Sequence, residues 1–176
     1  LSQAFLWYQR SSSQGQPYAA YSIAQMYRYG EYVTKDNDTA QRYYKQALSG
    51  FLKIESDDMA NDDLFYKLGQ MFNLGLGTDS DVTKAIEYVR RSAEMNNKNG
   101  LFEYGKALLT GEHIPQNADS AVKLLEKAVK LKNSNAKRFL ALEYISGEHL
   151  EQDFEKGIAL LTECADSGDV IASYRL

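Results

Sequence analysis

Asn99-Gly100-Leu101-Phe102-Glu103-Tyr104-Gly105-Lys106-Ala107-Leu108-Leu109 places Leu101, Tyr104, Gly105 and Leu108 at spacings of i, i+3, i+4 and i+7. That period predicts one apolar face of a helix. Gly111 follows, and glycine readily adopts the left-handed conformation that ends a helix. After the loop Glu112-His113-Ile114-Pro115-Gln116, Asn117 offers a side-chain oxygen to the free amides of a new helix. That helix carries Ala121, Leu124, Leu125, Ala128 and Val129 on one face. The unit is a helix pair, and it recurs.

Gly75, Gly111 and Gly147 are 36 residues apart, and Gly30 precedes Gly75 by 45. Ala4, Ala40, Ala85, Ala121 and Gly157 step by 36, 45, 36 and 36. Ala24, Gly69, Gly105 and Ala141 step by 45, 36 and 36, as do Asp36, Asp81, Asn117 and Asp153. Four series share one nine-residue insertion. A fixed period of this size is the mark of a repeat array. The small residues mark close helix crossings, where a large side chain would hold the backbones apart. Tyr27, Phe72, Leu108 and Tyr144 on the first helices, and Tyr44, Val89, Leu125 and Leu161 on the second, are the expected fillers of a thin core. Asp36, Asp81 and Asp153 cap second helices, with negative charge favoured at a helix N-terminus.

The expected fold is all-α: about four helix pairs wound as a right-handed α-α superhelix, with half-repeats at both ends. Residues 1–15 form the second helix of a preceding repeat, and 16–50 a repeat. Residues 51–96 are a repeat with an acidic insertion, 97–132 and 133–168 are repeats, and 169–176 start another. The pattern begins and stops inside a unit, so the chain is expected to be part of a longer array. Trp7, Tyr8, Ile171 and Tyr174 would then be left uncovered, which raises end-to-end self-association.

Composition narrows the function. The 176 residues are 44% hydrophobic and 25% charged, as in ordinary folded proteins. Pro17 and Pro115 are the only prolines, which suits uninterrupted helices. A net charge of −4 carries no basic footprint, so no nucleic-acid contact is expected. No apolar run is long enough to insert in a membrane. One cysteine, Cys164, rules out an internal disulfide framework. That and the lack of a signal segment lean toward a cytoplasmic location without fixing the compartment.

The motif set resembles the Sel-one-like repeat family, a relative of the tetratricopeptide repeat. The carrying residues are Leu68-Gly69, Phe72, Gly75, Asp81, Ala85, Tyr88 and Ala93 in one unit. In the last unit they are Leu140-Ala141, Tyr144, Gly147, Asp153, Gly157, Cys164-Ala165 and Gly168. Ala4 to Gly15, with Trp7-Tyr8, matches a second helix. Two departures stand out. Gly77 and Thr78 replace the loop hydrophobe that Val33, Ile114 and Leu150 supply, and Lys137 stands where Ala20, Phe65 and Leu101 stand. The resemblance implies a non-enzymatic scaffold, without cofactor, holding a peptide or protein on a concave face lined by first helices. It also leaves room for an accessory arm of a larger enzyme or signalling protein.

On that analogy the lining positions are six and three before each small residue, and one and four after it. They read Tyr18, Tyr21, Gln25 and Arg28; Asp63, Tyr66, Gln70 and Asn73; Asn99, Phe102, Lys106 and Leu109; and Asn135, Arg138, Leu142 and Ile145. The row Tyr21, Tyr66, Phe102 and Arg138 is rich in the types enriched at binding hot spots. Partner contacts are expected at Tyr18, Tyr21, Gln25, Tyr66, Gln70, Asn99, Phe102, Lys106, Asn135 and Arg138. The competing reading has these rings covering seams between units. His113 and His149 occupy equivalent loops beside Glu112 and Glu148. Neighbouring loops a helix diameter apart are too distant to share a zinc ion. Cys164 reads as a buried structural thiol, and no catalytic constellation stands out. The acidic stretch Ile54 to Asp63 reads as extra helix or solvated loop, or as a dock for a basic partner.

Overall fold

The computed structural model describes residues 3–175, without the side chains of Tyr174 and Arg175. The described residues form ten helices and no strand: α1 (Gln3–Ser13), α2 (Pro17–Tyr29), α3 (Asn37–Ser56), α4 (Asp62–Leu74), α5 (Val82–Glu94), α6 (Lys98–Thr110), α7 (Ala118–Lys130), α8 (Ser134–Ser146), α9 (Phe154–Asp166) and α10 (Val170–Arg175). They group into two compact units, residues 1–88 and 89–176, with α5 spanning the division. The expected all-α architecture of helix pairs is present. Trp7, Tyr8 and Ile171 are exposed, and the Tyr174 side chain lies outside the described residues.

Each pair is closed in the same way. First helices end at Gly30, Gly75, Gly111 and Gly147, all left-handed, with φ of 77°, 62°, 72° and 68°. The chain then turns back onto the helix it has left. The backbone N–H groups of Asp36, Asp81, Asn117 and Asp153 donate to the carbonyls of Tyr27, Phe72, Leu108 and Tyr144, at 2.8–2.9 Å. The side chains of the same four residues accept from Thr39, Lys84, Ser120 and Lys156 backbone N–H groups, each at 3.0 Å. One residue thus fixes where the loop lands and caps the second helix.

The nine-residue insertion divides exactly. α3 has 20 residues where α5, α7 and α9 have 13. The left-handed residues that follow the second helices are Gly15, Asp58, Asn96, Lys132 and Gly168. They step by 43, 38, 36 and 36, so seven extra residues lengthen α3 and two lengthen the loop after it. Two turns of extra helix are the main use of the acidic stretch.

In the first unit the core runs from Ala20, Tyr21 and Ala24 on α2 through Ala40, Tyr44, Ala47 and Phe51 on α3. It continues to Leu64, Phe65, Leu68 and Met71 on α4. Phe65 and Phe72 stack on Tyr88, with ring centroids 6.3 and 5.5 Å away, and the Tyr88 hydroxyl donates to Glu55 at 2.7 Å. Gly77 belongs to a close approach. A Cβ there would lie 2.4 Å from the Lys45 amide nitrogen and 2.5 Å from the Tyr44 carbonyl carbon. Gln41 clamps this loop, donating to the Gly75 carbonyl at 3.0 Å and accepting from the Gly77 N–H at 2.6 Å. The loop hydrophobe has moved to Leu76, which is buried.

In the second unit α6 pairs with α7, and α8 with α9. A Cβ on Gly105 would meet the Leu125 side chain at 2.9 Å and the Ala121 carbonyl at 3.3 Å. In the next pair the glycine changes sides: a Cβ on Gly157 would meet the Ala141 carbonyl at 2.9 Å and the Ile145 side chain at 2.6 Å. Asn133 both caps α8, accepting from Ala136 N–H, and donates back to the Lys98 carbonyl and Asn99 Oδ1 at 2.9 and 3.0 Å. These two hydrogen bonds tie consecutive first helices together. Lys137 is half-buried and reaches α9 through Glu163 at 2.9 Å, while neighbouring Ala136 fills the core.

One expectation is overturned. Leu109, placed on the open face, is 0% exposed and packs in a cluster with Ala136 and Leu140 of α8. The position four after the small residue turns here into the seam with the next pair. Leu109→Ala is therefore expected to cost about 2–5 kcal/mol, at least as much as the roughly 1–3 kcal/mol of overpacking by Gly105→Leu. Denaturant midpoints of the two variants check the order.

The caps carry a pH signature. Hydrogen bonds from the Thr39 hydroxyl and backbone hold Asp36 below the usual carboxylate range, and the Lys84 backbone N–H does the same for Asp81. A depressed folded-state pKa gives stability that is present above the unfolded value and lost as pH falls through the folded one. Asp36→Asn with Asp81→Asn should flatten the acid limb below about pH 4 while keeping both caps. Melting temperatures from pH 2 to 7 test this; an unchanged acid limb would refute it.

Candidate functional site

The first helices put four recurring positions per pair along one side, and burial sorts them. On α2, Tyr18 is exposed, Gln25 and Arg28 are half-buried, and Tyr21 is only 7% exposed. The Tyr21 ring packs edge-on against Tyr44 at 5.4 Å and tilts against Phe51 at 6.0 Å. Lys67 of α4 lies over its face at 5.7 Å. Burial, reinforced by the nearby Tyr44 and Tyr29 hydroxyls, pushes the Tyr21 phenol up to about 12. Tyr21 is thus a wall behind the surface and not the open ring expected. Tyr18 packs edge-on against Phe51 at 4.9 Å; burial and the carboxylates of Asp63 and Asp62 raise its pKa.

On α4, Tyr66 and Gln70 are half-buried, and Gln70 Nε2 donates to the Tyr66 hydroxyl at 3.1 Å. Asp63 pairs with Lys67 at 3.1 Å, and Asn73 is exposed. Two residues that the four-position reading omits also open to solvent here. Tyr29 and Leu74 end α2 and α4 at equivalent positions, five after Ala24 and Gly69, and are 62% and 53% exposed. The signal was available, since large apolar residues recur in one register. It lay outside the family-derived set of positions.

In the second unit Asn99 and Lys106 are half-buried, and Asn135 is exposed. Phe102 meets Phe139 of α8 edge-on at 6.0 Å, bridging consecutive first helices. Arg138 donates to Asn135 at 2.9 Å and pairs with Asp169, the residue that caps α10. Backbone amides and Arg138 lower the Asp169 pKa. Phe102 and Arg138 thus each carry a seam contact besides any surface they show.

The other candidates resolve into structure. His149 Nδ1 lies 2.9 Å from the Glu143 carboxylate, which is buried where the first two pairs have Met26 and Met71. His113 is exposed, with Glu112 3.6 Å away. Among the described residues no three histidine, cysteine or acidic side chains gather as metal ligands. Cys164 is buried, and that burial pushes its thiol up, away from the reactive thiolate. No helix of the described residues is long and apolar enough to cross a membrane.

Comparison with known proteins follows this geometry. Sel1 repeat models match residues 1–16, 17–50, 66–97, 99–133 and 134–169. No curated protein matches the chain significantly. Among solved structures, a Sel1 repeat protein from Oxalobacter formigenes superposes with a TM-score of 0.68 at 23% identity, covering 96% of this chain and 65% of that one. The antigen c5321 of uropathogenic Escherichia coli, described as displaying an SLR fold, gives 0.64 at 22%, covering 97% and 43%. PA5086 of Pseudomonas aeruginosa gives 0.58 at 21%, covering 94% and 58%. The chain therefore spans under two-thirds of the length of each of these relatives. With repeat models matching five segments over most of its length, the chain belongs to the Sel1 repeat family.

Proposed function

We propose that the chain binds an extended peptide segment of a protein partner along the exposed face of its first helices. Sel1-repeat folds generally serve as protein–protein interaction scaffolds and are typically non-catalytic. The observation that carries the finer reading is the face of the first unit. Tyr18, Gln25, Tyr66 and Gln70 are reachable, and Tyr29 and Leu74 at the ends of the same two helices are exposed. Tyr21 backs them as a rigid wall. Aromatic rings give contact area at small entropic cost, and the glutamine amides can pair with a peptide backbone. In the second unit, taken by itself, Asn99, Lys106 and Asn135 and the Phe102 edge line a face of the same kind, while Arg138 is held by Asp169 and Asn135.

The test uses peptides selected on the purified 176-residue chain from a displayed random library. Tyr66→Ala should weaken a selected peptide by about thirtyfold, the roughly 2 kcal/mol of a binding hot spot, with little loss in melting temperature. Tyr21→Ala should instead lower the melting temperature strongly, as removal of a buried ring does. Unchanged affinity in Tyr66→Ala, with a fall in its melting temperature, would show that the ring only fills a seam.

A further inference from the structure

Asn99-Gly100 is the chain's only asparagine or aspartate followed by glycine. Glycine presents the least hindered backbone nitrogen, so this is the dipeptide at which an asparagine side chain loses ammonia most readily. The fold needs both residues. A Cβ on Gly100 would lie 2.6 Å from Ser92 Oγ and 2.9 Å from the Ala93 backbone nitrogen, so a larger residue would force α5 and α6 apart. Asn99 Oδ1 accepts from Asn133 Nδ2 at 3.0 Å, part of the tie between α6 and α8. The same surroundings oppose the reaction. Gly100 is buried, and its backbone N–H donates to Asn97 Oδ1 at 3.1 Å. The Asn99 N–H donates to the same oxygen at 2.9 Å. Asn99 lies in the first turn of α6, and closing a ring between its side chain and the next nitrogen requires it to leave helical φ/ψ. Asn135 stands at the same register of α8 and is followed by Ala136, so it lacks the reactive neighbour.

We infer that Asn99 is a latent deamidation site, held intact by the Asn97 cap and the Asn133 tie, whose conversion unfastens α6 from α8. In the reaction the Gly100 backbone nitrogen bonds to Asn99 Cγ and the Cγ–Nδ2 bond breaks. The Gly100 amide proton leaves with Nδ2 as ammonia. Water then opens the succinimide ring. Cleavage of the new bond gives aspartate, and cleavage of the original peptide bond leaves the chain running through Cγ as isoaspartate. Aspartate keeps an oxygen for Asn133 and suits a helix N-terminus. Isoaspartate adds a backbone carbon inside the first turn of α6, so the Asn97 cap and the Asn133 bond to Asn99 cannot both hold their register. Either product also puts a carboxylate where the second unit's candidate face has an amide. Opening of that first turn is the gate, since the ring cannot close while Asn97 holds the Gly100 N–H.

The experiment incubates the purified 176-residue chain at mildly alkaline pH and follows conversion by peptide mapping with mass spectrometry, which separates the aspartate and isoaspartate products. A synthetic peptide of residues 96–110 is the unrestrained reference. The folded chain should convert at least about tenfold more slowly than the peptide, with Asn135 left intact. Asn97→Ala should speed conversion by about two- to thirtyfold, the effect of a lost N-cap on opening the first turn. Asn97→Ser, which keeps a capping oxygen, should stay near the wild-type rate. In the wild type the slowing relative to the peptide should match the protection of the Gly100 amide from hydrogen exchange, which tests the gate even if Asn97→Ala does not fold. Isoaspartate-containing chains should lose hydrogen-exchange protection at the starts of α6 and α8, whereas Asn99→Asp should keep it. The inference is overturned by conversion of the folded chain at the peptide's rate, by a folded Asn97→Ala that converts no faster than wild type, by slowing unrelated to Gly100 protection, or by isoaspartate that leaves both helix starts protected.

Discussion

The residue that opens each second helix carries the architecture. Its backbone N–H bonds the carbonyl of the large filler three residues after the small crossing residue, and its side chain caps the new helix. These two bonds fix the length and path of the loop, and so the register in which one helix lies on the other. Register in turn decides whether small residues meet at the crossing. Were Asn117 one position along, Gly105 would face a different residue from Leu125, and the 2.9 Å approach there would be lost. The cap therefore sets the packing as well as ending the loop. The left-handed glycine before it serves the same end, since only a sharp reversal lets the chain return to its own helix.

Close crossing needs a small residue on each helix, and in the second unit one of the two is a glycine that either helix can supply. Gly105 on α6 faces Ala121, and Ala141 on α8 faces Gly157. The sum of the two partners is the same in these two pairs, while each series contains both glycine and alanine. This is why position-by-position reading finds the repeat easily, and why reading in pairs explains it. It also shows how Lys137 is tolerated. The adjacent Ala136 turns inward, and the lysine spends its stem on the seam and its charge on Glu163.

Most of the fold was legible because each feature recurs at a fixed period, and recurrence separates signal from chance in a single sequence. The caps, the breaks at four glycines and the crossing residues all follow from it. What failed was local to one unit. Gly77 looked like a lost hydrophobe because a close approach to the backbone of α3 leaves no periodic trace. Leu109 looked open because its position faces solvent in some pairs, as at Asn73, and a seam in others. Seams depend on how consecutive first helices lean together, and the spacing of residues along one helix does not encode that. The same blindness touches the candidate site, where Tyr21 shares a register with Tyr66 yet lies behind the surface.

Burial at one register thus divides the lining residues into those that shape the face and those that could be spent on a ligand. A half-buried side chain whose bonding capacity is used internally, such as Arg138 with Asp169 and Asn135, gains little from an incoming group. It would have to exchange one partner for another at no net profit. Arg28 differs: it lies over the Tyr29 ring, and no carboxylate of the described residues pairs with it. Orientation with residual charge is the condition under which a new ion pair adds binding energy, since the entropy of ordering the side chain has been met in folding. The two faces of this chain are therefore chemically unequal although their backbones repeat. The first unit keeps Arg28 over the Tyr29 ring, and the second closes Arg138, at a different register, into a seam with Asp169.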